Sequence, residues 1–600
     1  MPIVNIDLEW LNQLLGKDYP PATIHEALDQ IGCDVEEVAE IQRSRCPHCQ
    51  SLVEHPLGQE EVKVCNFCGH ESATPFPCVG AQQVLRLDLL ADRPDLFDVG
   101  GLARALRGTL GIDRGLPRYQ VKSSGQVVHV DASTRAADSY RPFIACSIIS
   151  LPPVDETSLI AIMKLQENLH WGVGRDRKLA SIGVYDLDTL QGDIHYCTID
   201  PDNEPFIPLG MPGKKMTGRQ ILSDHPKGAA YAHLLKDHIR YPVLLDNAGQ
   251  VLSMPPIINS DETRLKMGTN RVFIDVTGVS QAAVKKALDT MVCSLLEIGG
   301  QVETVKIVAA DGTTRETPNL TPGEAEVDLQ GARRWLGLPL DEATLTESLE
   351  RMRFDAVPIA NSNGRFKVSY PPYRTDIRHM VDLLEDVAIG FGYGNIEPRL
   401  VRSMTVGQPR PEELLSEQAR QILLGLGFTE IMNLPLSTEE QQFERLRIST
   451  PERYPQISNP KLKDYRVLRT HLMGGLLEAL RENRRRPMPL CLFEMDNVTR
   501  LEETAETGTI DQRHLAFIEI GRDAGYAAAR SVLDALLREL GFTACYTEID
   551  HPTFVPGRVA SFKTDDEIVG VLGEVHPEVL TNFNLNYPAA LVELTLHRIS

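Results

Sequence analysis

The sequence predicts a multidomain α+β / α/β protein, and three observations carry this prediction. The chain has 600 residues, which corresponds to about four domains of ordinary size. Short apolar strands alternate with amphipathic helices up to about residue 112, and residues 121 to 278 are rich in strands. The last third combines helices with strands in the pattern of an antiparallel sheet. We therefore expect domains at residues 1–115, 116–315, 316–398 and 399–600.

Composition excludes several classes of protein. The formal net charge is -22, which argues against an independent nucleic-acid binder because phosphate contacts need clustered Lys and Arg. We find no apolar run near the roughly 18 residues that a membrane span requires. The acidic start "MPIVNIDLEWLNQLLG" has no small-residue cleavage site. The sequence therefore predicts a cytoplasmic protein with no membrane partner.

The first expected domain carries an insertion, the ribbon, at residues 44–72. Its cysteines form the pattern C-x2-C-x15-C-x2-C, which is typical of two knuckles that close around a structural Zn²⁺. The alternative is two exposed redox pairs. The predicted zinc ligands are Cys46, Cys49, Cys65 and Cys68. The other seven cysteines are scattered, and we expect them to be buried small hydrophobic residues.

The third expected domain contains the acidic segment "RTDIRHMVDLLEDVAIGFGYGNI" at residues 374–396. If residues 379–391 form a helix, Asp382, Glu385 and Asp386 stand at i, i+3 and i+4 on one face, with Asp376 just upstream. A solvated acidic face, helped by Arg374 and its basic neighbours, would explain the cluster. A hard cation such as Mg²⁺, which prefers oxygen ligands, would explain it equally well. Spacing alone leaves both interpretations open.

Several long motifs resemble the β subunit of phenylalanyl-tRNA synthetase, in its archaeal and eukaryotic-cytosolic form. They include "LADRPDLFDVGGLARALRGTLGI", "LQENLHWGVGRDRKLASIGVYDLD", "LSMPPIINSDET", "ISNPKLKDYRVLRTHLMGGLLEAL" and "HPTFVPGRVASF". These motifs occur in the family's order and span nearly the whole chain. The ribbon is a departure from the family pattern, so the resemblance says nothing about its role.

The resemblance implies a function for each domain. Residues 116–315 would be a tRNA-editing module, and residues 316–398 a helix-turn-helix-like module. In that module the family's D-x5-D-x2-E-[DE] spacing would hold Mg²⁺ at Asp376, Asp382, Glu385 and Asp386. Residues 399–600 would be a catalytically silent class II synthetase-like domain, and this stretch lacks a G-x-G-x-x-R run. Arg469 resembles a position in the α subunit's second motif, although a structural ion pair is our preferred interpretation of it.

The resemblance also implies partners and substrates. The α subunit would hold the synthetic site, where phenylalanine and ATP react and tRNA(Phe) is charged, in an (αβ)₂ heterotetramer. A pocket for phenylalanine cannot by itself exclude an aromatic ring that carries one extra hydroxyl. This chain would therefore hydrolyse mischarged Tyr-tRNA(Phe).

Two groups of residues are candidates for the editing module, one for editing and one for tRNA contacts. The loop "NSDET" offers Asn259, Ser260, Asp261 and Thr263 as editing groups, and the alternative is a loop cap in which these side chains bind nearby backbone amides. For tRNA contacts we nominate His170, Arg175 and Arg177, with a structural core histidine as the alternative for His170.

Two other functions remain open at this point. One is a purely structural subunit whose editing site has decayed. The other is a nucleic-acid-binding scaffold, suggested by the ribbon and the helix-turn-helix-like module but opposed by the acidic net charge.

Overall fold

A computed structural model describes residues 3–48, 52–57, 62–65, 70–135, 140–362, 364–400, 406–564 and 567–596. The chain forms two compact units, Met1–Arg399 and Leu400–Ser600. Each unit is described by itself below.

The first unit begins with a four-stranded sheet in the order β1-β4-β2-β3. All of its strand pairs are antiparallel. Asp7 caps the first helix by accepting a hydrogen bond from the backbone amide of Trp10. The elements are β1 (Ile3–Asp7), α1 (Leu8–Leu15), α2 (Pro21–Gln30), β2 (Asp34–Arg45), β3 (Leu52–Pro56), β4 (Cys78–Asp88) and α3 (Val99–Thr109).

A mixed sheet of ten strands forms the centre of the first unit, in the order β11-β10-β9-β8-β5-β13-β6-β12-β7 with β14 on β13. Only the pairs of β5 with β13 and with β8 are parallel. Helix α7 packs on β6 and β12. The elements are β5 (Val121–Val130), β6 (Phe143–Ser150), α4 (Glu156–Trp171), β7 (Ala180–Asp186), β8 (Ile194–Ile199), α5 (Gly218–Asp224), α6 (Pro226–Tyr231), β9 (Tyr241–Asp246), β10 (Val251–Met254), β11 (Ile258–Asn259), β12 (Arg271–Gly278), α7 (Gln281–Glu297), β13 (Gln301–Val308) and β14 (Thr314–Thr317).

Three helices and a three-stranded antiparallel sheet complete the first unit. The predicted helix over residues 379–391 is confirmed, because α10 starts at Met380 with His379 as its N-cap and ends at Phe391. One apolar core joins this part to the preceding elements, from Leu11 through Leu102 and Val292 to Leu384. The elements are β15 (Gly323–Asp328), α8 (Leu329–Leu336), α9 (Glu342–Arg351), β16 (Asp355–Pro358), β17 (Arg365–Tyr370) and α10 (Met380–Phe391).

The second unit contains a seven-stranded sheet in the order β18-β21-β22-β26-β25-β24-β23. The sheet is antiparallel, as predicted, except for the short pair of β18 with β21. Two apolar clusters pack on this sheet. The first contains residues of α11 and α14, and the second contains residues of α13. The elements are α11 (Pro411–Gly425), β18 (Thr429–Glu430), β19 (Leu436–Ser437), α12 (Glu439–Gln442), β20 (Val467–Leu468), α13 (Met473–Asn483), β21 (Leu490–Leu501), β22 (Thr509–Ile520), α14 (Tyr526–Glu539), β23 (Cys545–Glu548), β24 (Phe554–Thr564), β25 (Glu567–Val575), α15 (Pro577–Asn582) and β26 (Ala589–Thr595).

The structure also bears on the burial of the cysteines and on membrane-spanning helices. The prediction that the seven scattered cysteines are buried is confirmed for Cys33, Cys146 and Cys293 and is wrong for the other four. Cys197 and Cys491 are half-buried, and Cys78 and Cys545 are exposed. Cys78 and Cys545 are the first residues of β4 and β23, and the residues that follow them in these strands are also largely exposed. Within the described ranges, no helix combines the length and the apolar character that crossing a membrane would need.

Candidate functional site

A cavity of about 450 Å³ lies between helix α4 and strands β7, β10, β11 and β12. We call it the first cavity. Its sides are mostly apolar, and Leu159, Ile160 and Met163 of α4 face Ile182 and Val184 of β7 across it. A cavity of this size lies within the range of small-molecule sites, which are typically about 300–1,000 Å³. The geometry suits an apolar group of moderate size.

Three polar side chains meet at the inner end of the first cavity, and we call them the polar cluster. The hydroxyl oxygen of Tyr185 lies 2.7 Å from Ser253 Oγ and 2.5 Å from Asp275 Oδ1. All three residues line the cavity and are buried, with Asp275 only 1% exposed. The cluster thus offers donors and an acceptor within a cavity whose sides are mostly apolar.

Gly183 makes room for this cluster. It stands opposite Asp275 in the pairing of β7 with β12. A Cβ atom at position 183 would lie 1.9 Å from the Tyr185 hydroxyl oxygen and 2.3 Å from Asp275 Oδ1. No side chain fits there, so glycine is required for the close approach of the two polar groups.

Burial raises the pKa of Asp275 to about 7, although the hydrogen bond with Tyr185 and the charge of Arg141 both act in the opposite direction. The cause is the loss of water around the carboxylate. Burial also raises the pKa of the Tyr185 phenol well above its usual value. Asp275 therefore changes its charge near neutral pH while the Tyr185 phenol stays protonated.

A second polar group lies on the cavity beside α4. Arg177 donates to both carboxylate oxygens of Glu167 at 2.8 and 2.9 Å, and Lys227 donates to Oε1 at 2.9 Å. Burial acts to raise the pKa of Glu167, but His170, Arg177 and Lys227 outweigh it and hold that pKa far below its usual value. Glu167 is therefore an anion with its charge compensated.

Sequence reasoning missed the polar cluster. Tyr185, Ser253 and Asp275 come from three strands and are separated by up to 90 positions along the chain. One signal was present in the sequence: Asp275 is the charged residue inside the apolar strand "VFIDV", where a carboxylate needs a partner.

The nominated loop at residues 259–263 is only partly on the first cavity. Asn259 lines it, whereas Ser260, Asp261 and Thr263 do not. Ser260 Oγ donates to the Ile207 carbonyl at 3.3 Å, and Asp261 pairs with Arg264 at 3.2 Å. Thr263 Oγ1 donates to the Leu252 carbonyl at 3.4 Å. These bonds run to backbone carbonyls and to Arg264, whereas the loop-cap alternative expected bonds to backbone amides; Ser260 Oγ does accept from the Glu262 amide at 3.3 Å. The Thr263 bond holds the loop to the strand that carries Ser253.

The three nominated tRNA contacts are separated by the fold. His170 and Arg177 line the first cavity, and Arg175 lines another. His170 is 4% exposed, and its Nε2 accepts from the Ile182 amide at 2.8 Å. Burial first, and the charge of Arg177 second, lower the pKa of His170. These contacts favour the structural alternative for His170.

The acidic segment borders a second cavity of about 970 Å³. Arg374 lies between two of the four carboxylates: it donates to Asp376 Oδ1 at 3.0 Å and to Asp386 Oδ1 at 3.0 Å. Asp382 accepts from the backbone amides of Arg378 and His379, both at 2.7 Å. Asp382 thereby completes a capping box at the start of α10.

The fourth carboxylate, Glu385, differs from the other three. Partial burial raises its pKa, and the charges of Asp386, Asp376 and Asp92 raise it further. In the described part of the chain, no three His, Cys, Asp or Glu side chains form a group that could hold a metal ion. The four carboxylates are therefore not arranged as a coordination site for Mg²⁺. Arg374 instead compensates much of their negative charge through its ion pairs with Asp376 and Asp386.

Two of the four predicted zinc ligands can be located. Cys46 and Cys65 are buried in one small apolar cluster with Val53 and Phe76. Cys49 and Cys68 lie outside the described residues. The ribbon thus has its own small core, and the zinc site stays a prediction.

In the second unit, Arg469 is a structural ion-pair partner, as we preferred. It is 4% exposed and lies 2.6 Å from Glu494 Oε1 and 2.6 Å from Asp496 Oδ2. Asn433 donates to the other oxygen of Glu494 at 2.6 Å. The guanidinium is fully engaged by the protein's own carboxylates.

Three family models match the chain. They are the B3/4 domain at residues 169–298, the tRNA synthetase B5 domain at residues 325–393 and the phenylalanyl tRNA synthetase beta chain CLM domain at residues 396–596. The polar cluster and the loop at 259–263 lie within the first match. The acidic segment up to residue 393 lies within the second.

Relatives that match most of this chain include proteins named phenylalanine–tRNA ligase beta subunit. The protein from Methanosphaera stadtmanae is 33% identical over 606 residues, covering 100% of both chains. The one from Pyrococcus horikoshii is 38% identical, covering 84% of this chain and 89% of its own. A crystal structure of an N-terminal fragment of the phenylalanyl-tRNA synthetase beta-subunit from Pyrococcus horikoshii covers 66% of this chain and all of its own, with a TM-score of 0.55 at 35% identity.

Proposed function

The chain belongs to the phenylalanine–tRNA ligase β-subunit family, and on that premise we propose that its own chemistry is the hydrolysis of tyrosine mischarged to tRNA(Phe). As a β subunit it acts in a complex in the charging of tRNA(Phe), and the family's use of ATP and Mg²⁺ belongs to that complex. The α subunit and tRNA are its partners.

The observation that supports editing is the polar cluster at the end of an apolar cavity. An aromatic side chain would lie between the aliphatic residues of α4 and β7, and its ring would point to Tyr185, Ser253 and Asp275. A phenol can exchange hydrogen bonds with these groups, whereas a phenylalanine ring would leave buried polar atoms without partners. A site of this type distinguishes the two amino acids far better than an apolar pocket can.

The loop at 259–263 has a supporting role in this proposal. The Leu252 carbonyl accepts from the Ser260 amide at 2.8 Å and from Thr263 Oγ1 at 3.4 Å. Ser253 follows directly, so the loop fixes one member of the polar cluster. Asp261 anchors the loop through Arg264. Asn259 faces the cavity itself.

The second unit supports a non-catalytic, class II-like role. Arg469, the residue that resembles a catalytic position, is neutralised by Glu494 and Asp496 and is not available to a nucleotide. Met432 and Leu434 are 88% and 75% exposed, which is unusual for large apolar side chains so close in sequence. We assign this surface to the α subunit in an (αβ)₂ heterotetramer.

Metal ions complete the proposal. A structural Zn²⁺ would join the cysteines of the ribbon, of which Cys46 and Cys65 already share one buried cluster. A Mg²⁺ at the acidic segment would have to displace Arg374 from Asp376 and Asp386, and it would also relieve the repulsion that the neighbouring carboxylates exert on Glu385.

The test uses the chain reconstituted with the α subunit of the same organism. The complex should charge tRNA(Phe), should have the mass of a heterotetramer by light scattering, and should deacylate Tyr-tRNA(Phe) much faster than Phe-tRNA(Phe). The chain alone should not aminoacylate. Equal deacylation of the two substrates at the spontaneous rate would show a structural subunit with a decayed site.

A further inference from the structure

The ribbon is attached to the side of the first cavity. Arg45, at the end of β2, lies 2.5 Å from Glu156 Oε1 at the start of α4. Glu54 of β3 accepts from Arg43 at 3.3 Å and pairs with Lys164 of α4. The Glu54 side chain is only 9% exposed, so these charged contacts are better shielded from solvent than an ordinary surface pair.

Two ribbon residues line the first cavity, Arg45 and Leu52. They stand directly opposite each other in the antiparallel pairing of β2 with β3. Successive side chains of a strand point to opposite faces. Val53 accordingly lies in the ribbon's own cluster, while its neighbour Leu52 faces the cavity. The Arg45–Leu52 pair is thus one continuous surface, which is extended by Leu159, Ile160 and Met163 of α4.

We infer that the Arg45–Leu52 pair binds the terminal adenosine of the aminoacyl-tRNA whose amino acid occupies the first cavity. This inference rests on the proposed editing function. The polar cluster lies at the inner end of the cavity, and a tyrosyl group does not fill a space of about 450 Å³. The ester and the adenosine must then contact other parts of the cavity wall, and Arg45 and Leu52 belong to that wall.

The chemistry of the pair suits a purine nucleoside. An arginine plane and an aliphatic side chain provide a surface on which a base can stack. The carboxylate of Glu156 holds the Arg45 guanidinium in place, which reduces the entropy lost when the base binds. Lys227 and Lys266 also line this cavity and can attract the phosphates of the acceptor end.

The experiment measures deacylation of Tyr-tRNA(Phe) by the reconstituted holoenzyme. Arg45→Ala and Leu52→Ala should each raise KM about fivefold to tenfold and change kcat by less than about twofold. Adenosine monophosphate should inhibit the parent reaction and should inhibit both variants more weakly. Leu57→Ala is the matched control, because Leu57 belongs to the ribbon, is 52% exposed and does not line the cavity. This control should behave as the parent.

The outcomes separate the inference from the function on which it rests. An active parent whose KM is the same in Arg45→Ala, Leu52→Ala and Leu57→Ala would overturn the inference and leave editing intact. A parent without deacylation would overturn the proposed function and the inference with it. If Leu52→Ala loosens the ribbon, the KM of Arg45→Ala alone tests the inference. The Arg45 side chain is 27% exposed and lies outside the ribbon core, so its removal should not unfold the ribbon.

Discussion

The hydroxyl oxygen of Tyr185 lies 2.5 Å from a carboxylate oxygen of Asp275, at the buried end of the first cavity. The two residues come from neighbouring strands, β7 and β12, with Gly183 leaving the space between them. This pair is the best candidate for the group that distinguishes tyrosine from phenylalanine in editing.

Asp275→Asn should lower the rate of Tyr-tRNA(Phe) deacylation about 10- to 100-fold, because the neutral amide oxygen is a weaker acceptor for the substrate phenol than a carboxylate oxygen. Deacylation is measured with the reconstituted holoenzyme. Tyr196→Phe is a control for disturbing a buried tyrosine, since Tyr196 is equally buried, donates to the Arg141 carbonyl and does not line the cavity. A parent-like rate for Asp275→Asn would remove Asp275 from the site.

Asp275 should also make stability depend on pH. Its pKa is about 7 in the folded chain and about 4 when unfolded, so the folded state binds more protons between these values. The parent should therefore lose stability relative to Asp275→Asn as pH rises from about 4 to about 7, and the difference should be constant above that range. Thermal melting of the parent and of Asp275→Asn between about pH 4 and pH 7 measures this difference in stability. A constant difference at every pH would mean that Asp275 is ionised throughout.

Replacing Asp261 and Thr263 together by alanine should slow Tyr-tRNA(Phe) deacylation by about 10²-fold and leave phenylalanine activation intact. The physical reason is positional, because these side chains hold the loop and the strand that carries Ser253. Glu262→Ala is the matched control, since Glu262 is exposed in the same loop. Should activation of phenylalanine fall in parallel, the separation of the two sites on different subunits is wrong.

Magnesium binding at the acidic segment predicts a stability effect at Asp382. Asp382→Asn should destabilise the first unit by about 1.4 kcal/mol at a magnesium concentration tenfold above Kd, and little without magnesium. The amide oxygen of asparagine can still accept from the Arg378 and His379 amides, which isolates the metal contribution. Asp341→Asn, at the N-cap of α9, is the control. Equal effects in both buffers would show that Arg374 alone balances the cluster.

Metal analysis tests the zinc prediction. The purified parent should contain one equivalent of zinc and Cys65→Ser much less, because a site of four thiolates loses a ligand. Cys78→Ser replaces an exposed cysteine outside the ribbon and should retain the metal. Undiminished zinc in Cys65→Ser would refute the assignment.

The sequence predicted best what local patterns determine. The helix from Met380 to Phe391 and the antiparallel sheet of the second unit follow from hydrophobic periodicity, and Arg469 in an ion pair follows from the cost of burying a lone charge. Sites assembled from distant segments were harder. The other two members of the polar cluster, Ser253 and Tyr185, lie 22 and 90 positions from Asp275, and nothing in the local pattern links the three residues.

The acidic segment shows a second limit of sequence reasoning. Its carboxylates were counted along one helix face, but the compensating charge comes from Arg374, which folds back between Asp376 and Asp386. Arg374 was visible as a neighbour in sequence. Its burial, at 5% exposure, depends on the packing of the whole first unit.

The turn that follows α4 sets a thermal limit on the first cavity. Arg175, Asp176 and Arg177 are three successive non-glycine residues with φ values of 46°, 55° and 65°, and each left-handed residue costs about 1 kcal/mol or more. The contacts of Arg177 with Glu167 and with the Ile257 carbonyl offset that cost. On warming, this turn should open before the sheet around it melts. If the first cavity edits as proposed, deacylation of Tyr-tRNA(Phe) should then fail at a lower temperature than charging of tRNA(Phe).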